Sequence, residues 1–308
     1  MKTKIWIALI ALYIVWGSTY LAIRFAVETI PPFMHAGMRF LISGLILVLW
    51  RRAAGDEMPT RIQWKSLAII GTLLLLGGNG LVSFAEQRIA SGVAALIVGT
   101  TPLWLVLIEA LRRNGVKPTW LSIVGLIIGF GGIYLLVGPS ELTGELQFDS
   151  IGTIAVLCAS FLWALGSIYS RSAELPKSAL MTTGGEMLAG SVPLFLVSLT
   201  LGEWNGFSIA QVSTQSWLGL IYLITFGSMI GFVAYIWLLQ NAPISLVATY
   251  AYVNPLVAVL LGAWFASEPL TSRTLAAAGI IIGSVIFINW ARQVKVKTEP
   301  LQSASSGE

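Results

Sequence analysis

Ten stretches of this chain stay apolar for about the 17 to 25 residues that a helix needs to cross a hydrocarbon core of about 30 Å. They are 5–23, 33–50, 66–85, 92–111, 120–138, 151–170, 179–201, 217–239, 245–267 and 271–290. A backbone in lipid has no water to bond, so only helices and closed barrels span it, and runs of this length select helices. The predicted class is therefore an all-α integral membrane protein with ten transmembrane helices. Composition agrees, with 56% of the residues hydrophobic and 10% charged, against about 25% charged in a water-soluble domain. Lys2 and Lys4 precede the first run, but no small-residue cleavage site follows it, so it reads as a helix rather than a leader. One cysteine, Cys158, allows no internal disulfide, and one histidine, His35, is too few for an imidazole metal site. No cofactor, metal or nucleic-acid partner is expected; the lipid bilayer is. Of 18 Lys and Arg, 14 fall on one side of the runs, which predicts that both termini are cytoplasmic. Residues 292–308 read as a disordered, cytoplasmic polar tail.

The runs repeat. At an offset of 153, Pro102 answers Pro255, Leu103 answers Leu256, Val106 answers Val259 and Gln87 answers Gln240. GLIIG from Gly125 answers GIIIG from Gly279, and Gly17, Ser18 and Tyr20 answer Gly166, Ser167 and Tyr169. The repeats are placed at 1–140 and 150–291, with five helices each. An odd number of crossings makes the second repeat enter the membrane from the opposite side, so the two are inverted. Inverted repeats place a binding site near the midplane, beside interrupted helices. Pro102 and Pro255 interrupt the fourth and ninth helices, and each frees a carbonyl that is costly in lipid. A kink that serves packing is the plain reading of either proline alone. Their recurrence beside Thr100, Thr101 and Asn254 favours a wet cavity into which the freed carbonyls turn.

WGSTY at 16–20, RFLISG at 39–44, GNG at 78–80, AEQRIASG at 85–92, GEMLAG at 185–190 and SLVATYAYVNPLVAVLLG at 245–262 resemble the EamA-type exporters of the drug/metabolite transporter superfamily, within them the YedA-like group. The resemblance covers nearly the whole chain. It implies two inverted five-helix EamA repeats around a cavity lined by helices 1, 3, 4, 6, 8 and 9. It also implies export of amino acids, related amphipathic metabolites or drugs across the bacterial inner membrane, without naming a cargo.

Two charges fall inside predicted helices. Arg39 and Glu186 occupy equivalent repeat positions, about 9 and 10 Å in from opposite faces at about 1.5 Å per residue. That separation predicts no direct contact and distinct roles. An intramembrane charge is a functional candidate by default. Arg39 reads either as a structural donor to freed carbonyls or as a charge site, and Glu186 as a proton-coupling or amine-binding group. Asn79, between two glycines, fits a hinge or a helix contact, and Glu86 fits an interfacial turn or a gate. Trp16, Tyr20, Trp104, Trp163, Tyr235, Tyr250 and Tyr252 lie in helices that the resemblance places around the cavity; each is a packing residue or an aromatic wall for cargo. GLIIG and GIIIG predict close packing of helices 5 and 10, within a monomer or across a homodimer. Neither a nucleotide-binding loop nor a hydrolase motif is present, so an enzyme is not expected. The expected activity is secondary-active export of a small molecule by alternating access, with proton coupling as one mode. The competing readings are a facilitative uniporter or exchanger, and a sensor or accessory subunit.

Overall fold

The computed structural model describes residues 2–112, 118–137, 149–242 and 249–303, and every regular element among them is helical. In chain order the helices are α1 (Lys2–Ala26), α2 (Pro32–Ala53), α3 (Arg61–Ala85), α4 (Ser91–Leu111), α5 (Trp120–Val137), α6 (Ser150–Ser170) and α7 (Ala179–Thr200). Next, α8 runs through Thr214–Tyr222, Leu223–Ile230 and Gly231–Asn241, and α9 (Tyr250–Phe265) and α10 (Ser272–Ser303) complete the fold. Among the described residues, seven helices are long and apolar enough to cross a membrane, and α5, α9 and α10 carry shorter apolar stretches. Helix α10 continues to Ser303, where the sequence reading expected a disordered tail. Residues 291–299 include Ala291, Arg292, Gln293, Lys295, Lys297 and Glu299, good helix formers that propagate an established helix at little cost.

Three of the five counterpart pairs, α2 with α7, α4 with α9 and α5 with α10, pack on each other, and they do so antiparallel. Along α2 and α7, Gly37 meets Phe195, Gly44 meets Leu188 and Val48 meets Gly184, so a step forward on one helix is a step back on the other. Gly125, Gly129 and Gly132 of α5 meet Ile288, Ser284 and Ile281 of α10 in the same sense. Contacts between unlike helices also come in mirrored sets: α1 packs on α8 and α9 as α6 packs on α3 and α4. Antiparallel like-with-like pairing is what two inverted repeats produce. The GLIIG glycines thus sit in a tight helix contact, while Gly279 and Gly283 of GIIIG face open space.

Two departures from regular α geometry also come in a mirrored pair. Thr72–Gly80 of α3 and Leu223–Ile230 of α8 are π-helical, a widened turn that frees backbone groups and often marks functional positions. Helix α4 breaks at Gly99–Thr100, and Pro102 opens its second half. The freed carbonyls there do not face a cavity bare. The Thr101 hydroxyl donates to the Val98 carbonyl at 2.6 Å, and Thr100 and Ser160 donate to the Ile97 carbonyl at 2.5 and 3.2 Å. Pro255 lies within α9, which continues past it unbroken.

Helix N-termini are closed by acids from the other repeat. Glu203, just past α7, accepts from the Phe33 and Met34 amides at 3.2 and 2.8 Å. Glu268, just past α9, accepts from the Ser91 and Gly92 amides at 2.7 and 3.0 Å. Each satisfies orphan donors and complements the positive end of the helix dipole. At the opposite end Asp56, just past α2, takes a two-pronged pair from Arg51 at 2.8 and 2.9 Å, beside Ser178, which caps α7. The Arg51 hydrogen bonds, with help from Ser178, lower the Asp56 carboxyl from its ordinary value to about 2. Because the folded carboxyl titrates below the unfolded one, its stabilisation is complete above about pH 4 and fades as pH falls toward 2. Asp56→Asn is therefore expected to lower the unfolding temperature slightly at pH 7 and less at pH 2, measured by thermal unfolding in detergent.

Candidate functional site

A cavity of about 330 Å³ opens between the repeats, lined from α1, α2, α3, α4, α6, α8 and α9. One wall is aromatic. Trp16 stands at the centre, with ring centroids 5.5 Å from Phe232, 5.2 Å from Tyr235 and 5.1 Å from Tyr250, and Tyr235 lies 5.8 Å from Tyr250. The Trp16 indole donates to the Gly227 carbonyl at 3.2 Å, a group in the π-helical part of α8. Glycine is required close by, because a Cβ on Gly231 would fall 2.3 Å from the Trp16 indole nitrogen. The facing wall carries Trp163, packed on Gly78 so closely that a Cβ there would meet its ring at 2.6 Å. Beside it Asn79 donates to the Leu74 carbonyl at 3.4 Å, returning a hydrogen bond to the π-helical segment of α3.

Eleven of the sequence-derived residues thus share one cavity: Trp16, Tyr20, Arg39, Asn79, Thr101, Pro102, Trp163, Tyr235, Tyr250, Asn254 and Pro255. Asn254 is buried, and its side-chain oxygen has no hydrogen-bond partner. Four others lie elsewhere. Thr100 is fully buried behind the wall with its hydroxyl on Ile97. Trp104 points into α5 and α6, with edge contacts to Phe130 at 5.2 Å and Phe161 at 5.6 Å. Two residues along a helix turn about 200°, so Trp104 and Pro102 cannot share a face, whereas Leu105 joins Pro102 on the cavity. Glu86 is fully buried off the cavity wall, with both carboxyl oxygens unpartnered. Glu186 is half-buried on α7, beside α3, and no ion pair joins it to Arg39. The Tyr252 side chain lies outside the described residues.

The sequence reading missed Arg171, Ser167, Phe232 and Gly227 on the wall. Arg171 was counted as a loop charge, although it directly follows α6, and Ser167 was visible as the repeat counterpart of Ser18. The wall's charge has one sign: Arg39 and Arg171 line it, and no Asp or Glu does so among the described residues.

At one end the lining stops at Ile23 and Val82. Beyond them the Arg24 guanidinium donates to the Glu86 carbonyl and Gln87 donates to the Val27 carbonyl at 3.2 Å. The Glu268 contact with α4 lies at the same end. The lining extends the other way, to Arg171 at the end of α6.

The EamA-like transporter pattern matches residues 3–138 and, again, 150–290. The chain belongs to the EamA-like transporter family. It is 39% identical over 304 residues to the uncharacterized inner membrane transporter YedA of Escherichia coli K12, covering 97% of this chain and 96% of that one. It is 26% identical to the uncharacterized transporter YvbV of Bacillus subtilis, over 94% of this chain and 92% of the relative. A crystal structure of another protein superposes with a TM-score of 0.63 at 19% identity, over 95% of this chain and 99% of its own, a likeness of fold. Family and relatives alike are transporters rather than enzymes, and this EamA-family chain is a multi-pass membrane protein.

Proposed function

We propose that this chain is a ten-span exporter of small amphipathic metabolites in the bacterial inner membrane, with both termini cytoplasmic, working by alternating access. The observation that supports the reading is the position of the cavity between the repeats, its lining reaching exposed Arg171 on one side and stopping on the other at Ile23 and Val82, before the Arg24–Glu86 and Gln87–Val27 contacts. Rocking one repeat against the other exchanges which end is closed while the wall stays in place. With the Lys- and Arg-rich loops in the cytoplasm, the open end faces the cytoplasm, as loading an exporter requires.

Proton antiport is one coupling mode, and we assign it to Glu186, a half-buried carboxylate on α7 that forms no ion pair among the described residues. The second reading is facilitative transport, favoured by the absence of a carboxylate on the described cavity wall. Flux in proteoliposomes over a panel of amino acids and organic acids, with and without a pH gradient, tests the first proposal. Accumulation driven by the gradient is expected in the native protein, and Glu186→Gln is expected to abolish that dependence while leaving downhill flux. Unchanged gradient dependence in Glu186→Gln removes the coupling assignment; downhill flux alone in the native protein selects the facilitative reading. No flux for any member of the panel overturns the transport reading and favours a sensor.

A further inference from the structure

The cavity holds a cation for which the protein supplies no anion. Arg39 is 5% exposed, and its guanidinium lies 4.8 Å over the Phe40 ring. Its Nε donates to the Ser228 hydroxyl at 3.0 Å, and its two terminal nitrogens have no protein acceptor among the described residues. A buried guanidinium normally carries a carboxylate, because removing it from water without a counter-charge is costly. Its repeat counterpart Glu186 is off the wall and does not pair with it. The neighbouring elements offer no substitute: the charged groups on the wall are Arg39 and Arg171, both positive, and Tyr20, Tyr235 and Tyr250 supply only neutral hydroxyls. Glu86 lies outside the cavity beyond Val82.

We infer that Arg39 is the head-group site of an organic anion, which docks a carboxylate or phosphate on the free face of the guanidinium and lays its apolar body against Trp16, Tyr235 and Tyr250. The planar fork of arginine matches such oxyanions with two parallel hydrogen bonds. The volume, at the lower end of the usual range of about 300–1,000 Å³ for small-molecule sites, limits the cargo to a compact molecule. The single sign of the wall turns away cations and leaves the ammonium of a zwitterion with no carboxylate to meet. This inference rests on the reading of the cavity as the cargo site and narrows the cargo from amphipathic metabolites in general to organic acids or organic phosphates.

Equilibrium binding to the purified full-length protein, followed by tryptophan fluorescence, tests the inference with probes that share a phenyl body. These are 3-phenylpropanoate, phenyl phosphate, phenylalanine and phenethylamine, which present a carboxylate, a phosphate, a zwitterion and a cation. The anions are expected to bind at least about tenfold more tightly than phenylalanine, with phenethylamine weakest. The tighter of the two anions identifies the head group. Arg39→Gln is expected to weaken anion binding by about ten- to hundredfold without weakening phenethylamine binding, and Arg39→Lys to retain part of the anion affinity. Both variants are checked for an unchanged unfolding temperature before titration. Equal or tighter binding of phenylalanine or phenethylamine, no binding of either anion, or full anion affinity in Arg39→Gln overturns the assignment. Flux of the same probes separates this outcome from failure of the transport reading. Anion binding without flux overturns transport and leaves the site, whereas flux that prefers the zwitterion or the amine overturns the site and leaves transport.

Discussion

Leucine at Gly71 is expected to leave no folded, monodisperse protein, and alanine there to lower the unfolding temperature in detergent. At this position α3 crosses α7 with backbone against backbone. A Cβ on Gly71 would lie 2.6 Å from the Glu186 carbonyl oxygen, 2.8 Å from the Gly190 nitrogen and 2.9 Å from its Cα. The approach is reciprocal, since a Cβ on Gly190 would meet the Gly71 carbonyl oxygen at 2.9 Å. No side-chain rotation relieves such a clash, so the helices have to separate. Between membrane helices the hydrophobic effect contributes little, and close packing of small residues holds the pair together. One added methyl group in a packed interior costs about 1–3 kcal/mol, and leucine adds three further carbons in the same place. Gly279→Leu is the control, because nothing lies within 4 Å of a Cβ there. Fluorescence-detected size exclusion and thermal unfolding separate the two variants. A Gly71→Leu protein that behaves like Gly279→Leu would mean that α3 and α7 do not cross at this glycine.

Much of this architecture was legible because it depends on spacing. Apolar runs mark helices, and the offset between Pro102 and Pro255 marks a repeat; the antiparallel contacts of α2 with α7 and of α5 with α10 then follow from an odd number of crossings. What was hidden depends on rotation about a helix and on hydrogen-bond register, neither of which composition records. Membership in a cavity helix suggested Trp104, but its direction from the Pro102 break turns it toward Phe130 and Phe161. The π-helical segments of α3 and α8 are rich in ordinary apolar residues, and only the glycines at 78 and 80 flanking Asn79, packed on the Trp163 and Phe33 rings, hinted at a close approach. Proline correctly signalled a lost hydrogen bond, yet the hydroxyls of Thr100 and Thr101, placed by the same local sequence, take up the carbonyls that were expected to face water. Arg171 illustrates a different limit. A charge at a helix end reads equally as a topology marker and as the rim of a site, and only the direction of α6 separates the two.

Removing the Glu268 carboxylate is expected to open the closed end of the cavity. Glu268 ties the end of α9 to the first turn of α4, one contact from each repeat, through hydrogen bonds from two backbone amides. Room for it depends on Gly262, where a Cβ would fall 2.3 Å from the carboxylate oxygen. The tie has no sequence counterpart at the other end: the position equivalent to Glu268 is Gly115, within the stretch RNGVK, which contains no acid. On the alternating-access reading, this asymmetry is expected to bias the two repeats toward the state in which this end is shut. Hydrogen bonds to a charged group contribute about 1.5–3 kcal/mol each, and about 1.4 kcal/mol already moves a two-state equilibrium tenfold. In a Cys158→Ser background, a cysteine introduced as Val82→Cys lies on the cavity wall just inside the closed end. Adding Glu268→Ala is expected to speed its labelling from that side of the membrane by at least about tenfold. Glu203→Ala removes a cap of the same chemistry from α2, away from the α4–α9 contact, and is expected to lower stability while leaving the labelling rate near its starting value. Equal acceleration by both substitutions would trace the opening to general loosening, and no acceleration by Glu268→Ala would mean that this end is held by the Arg24–Glu86 and Gln87–Val27 hydrogen bonds and the apolar contacts of Val27 and Val82 instead.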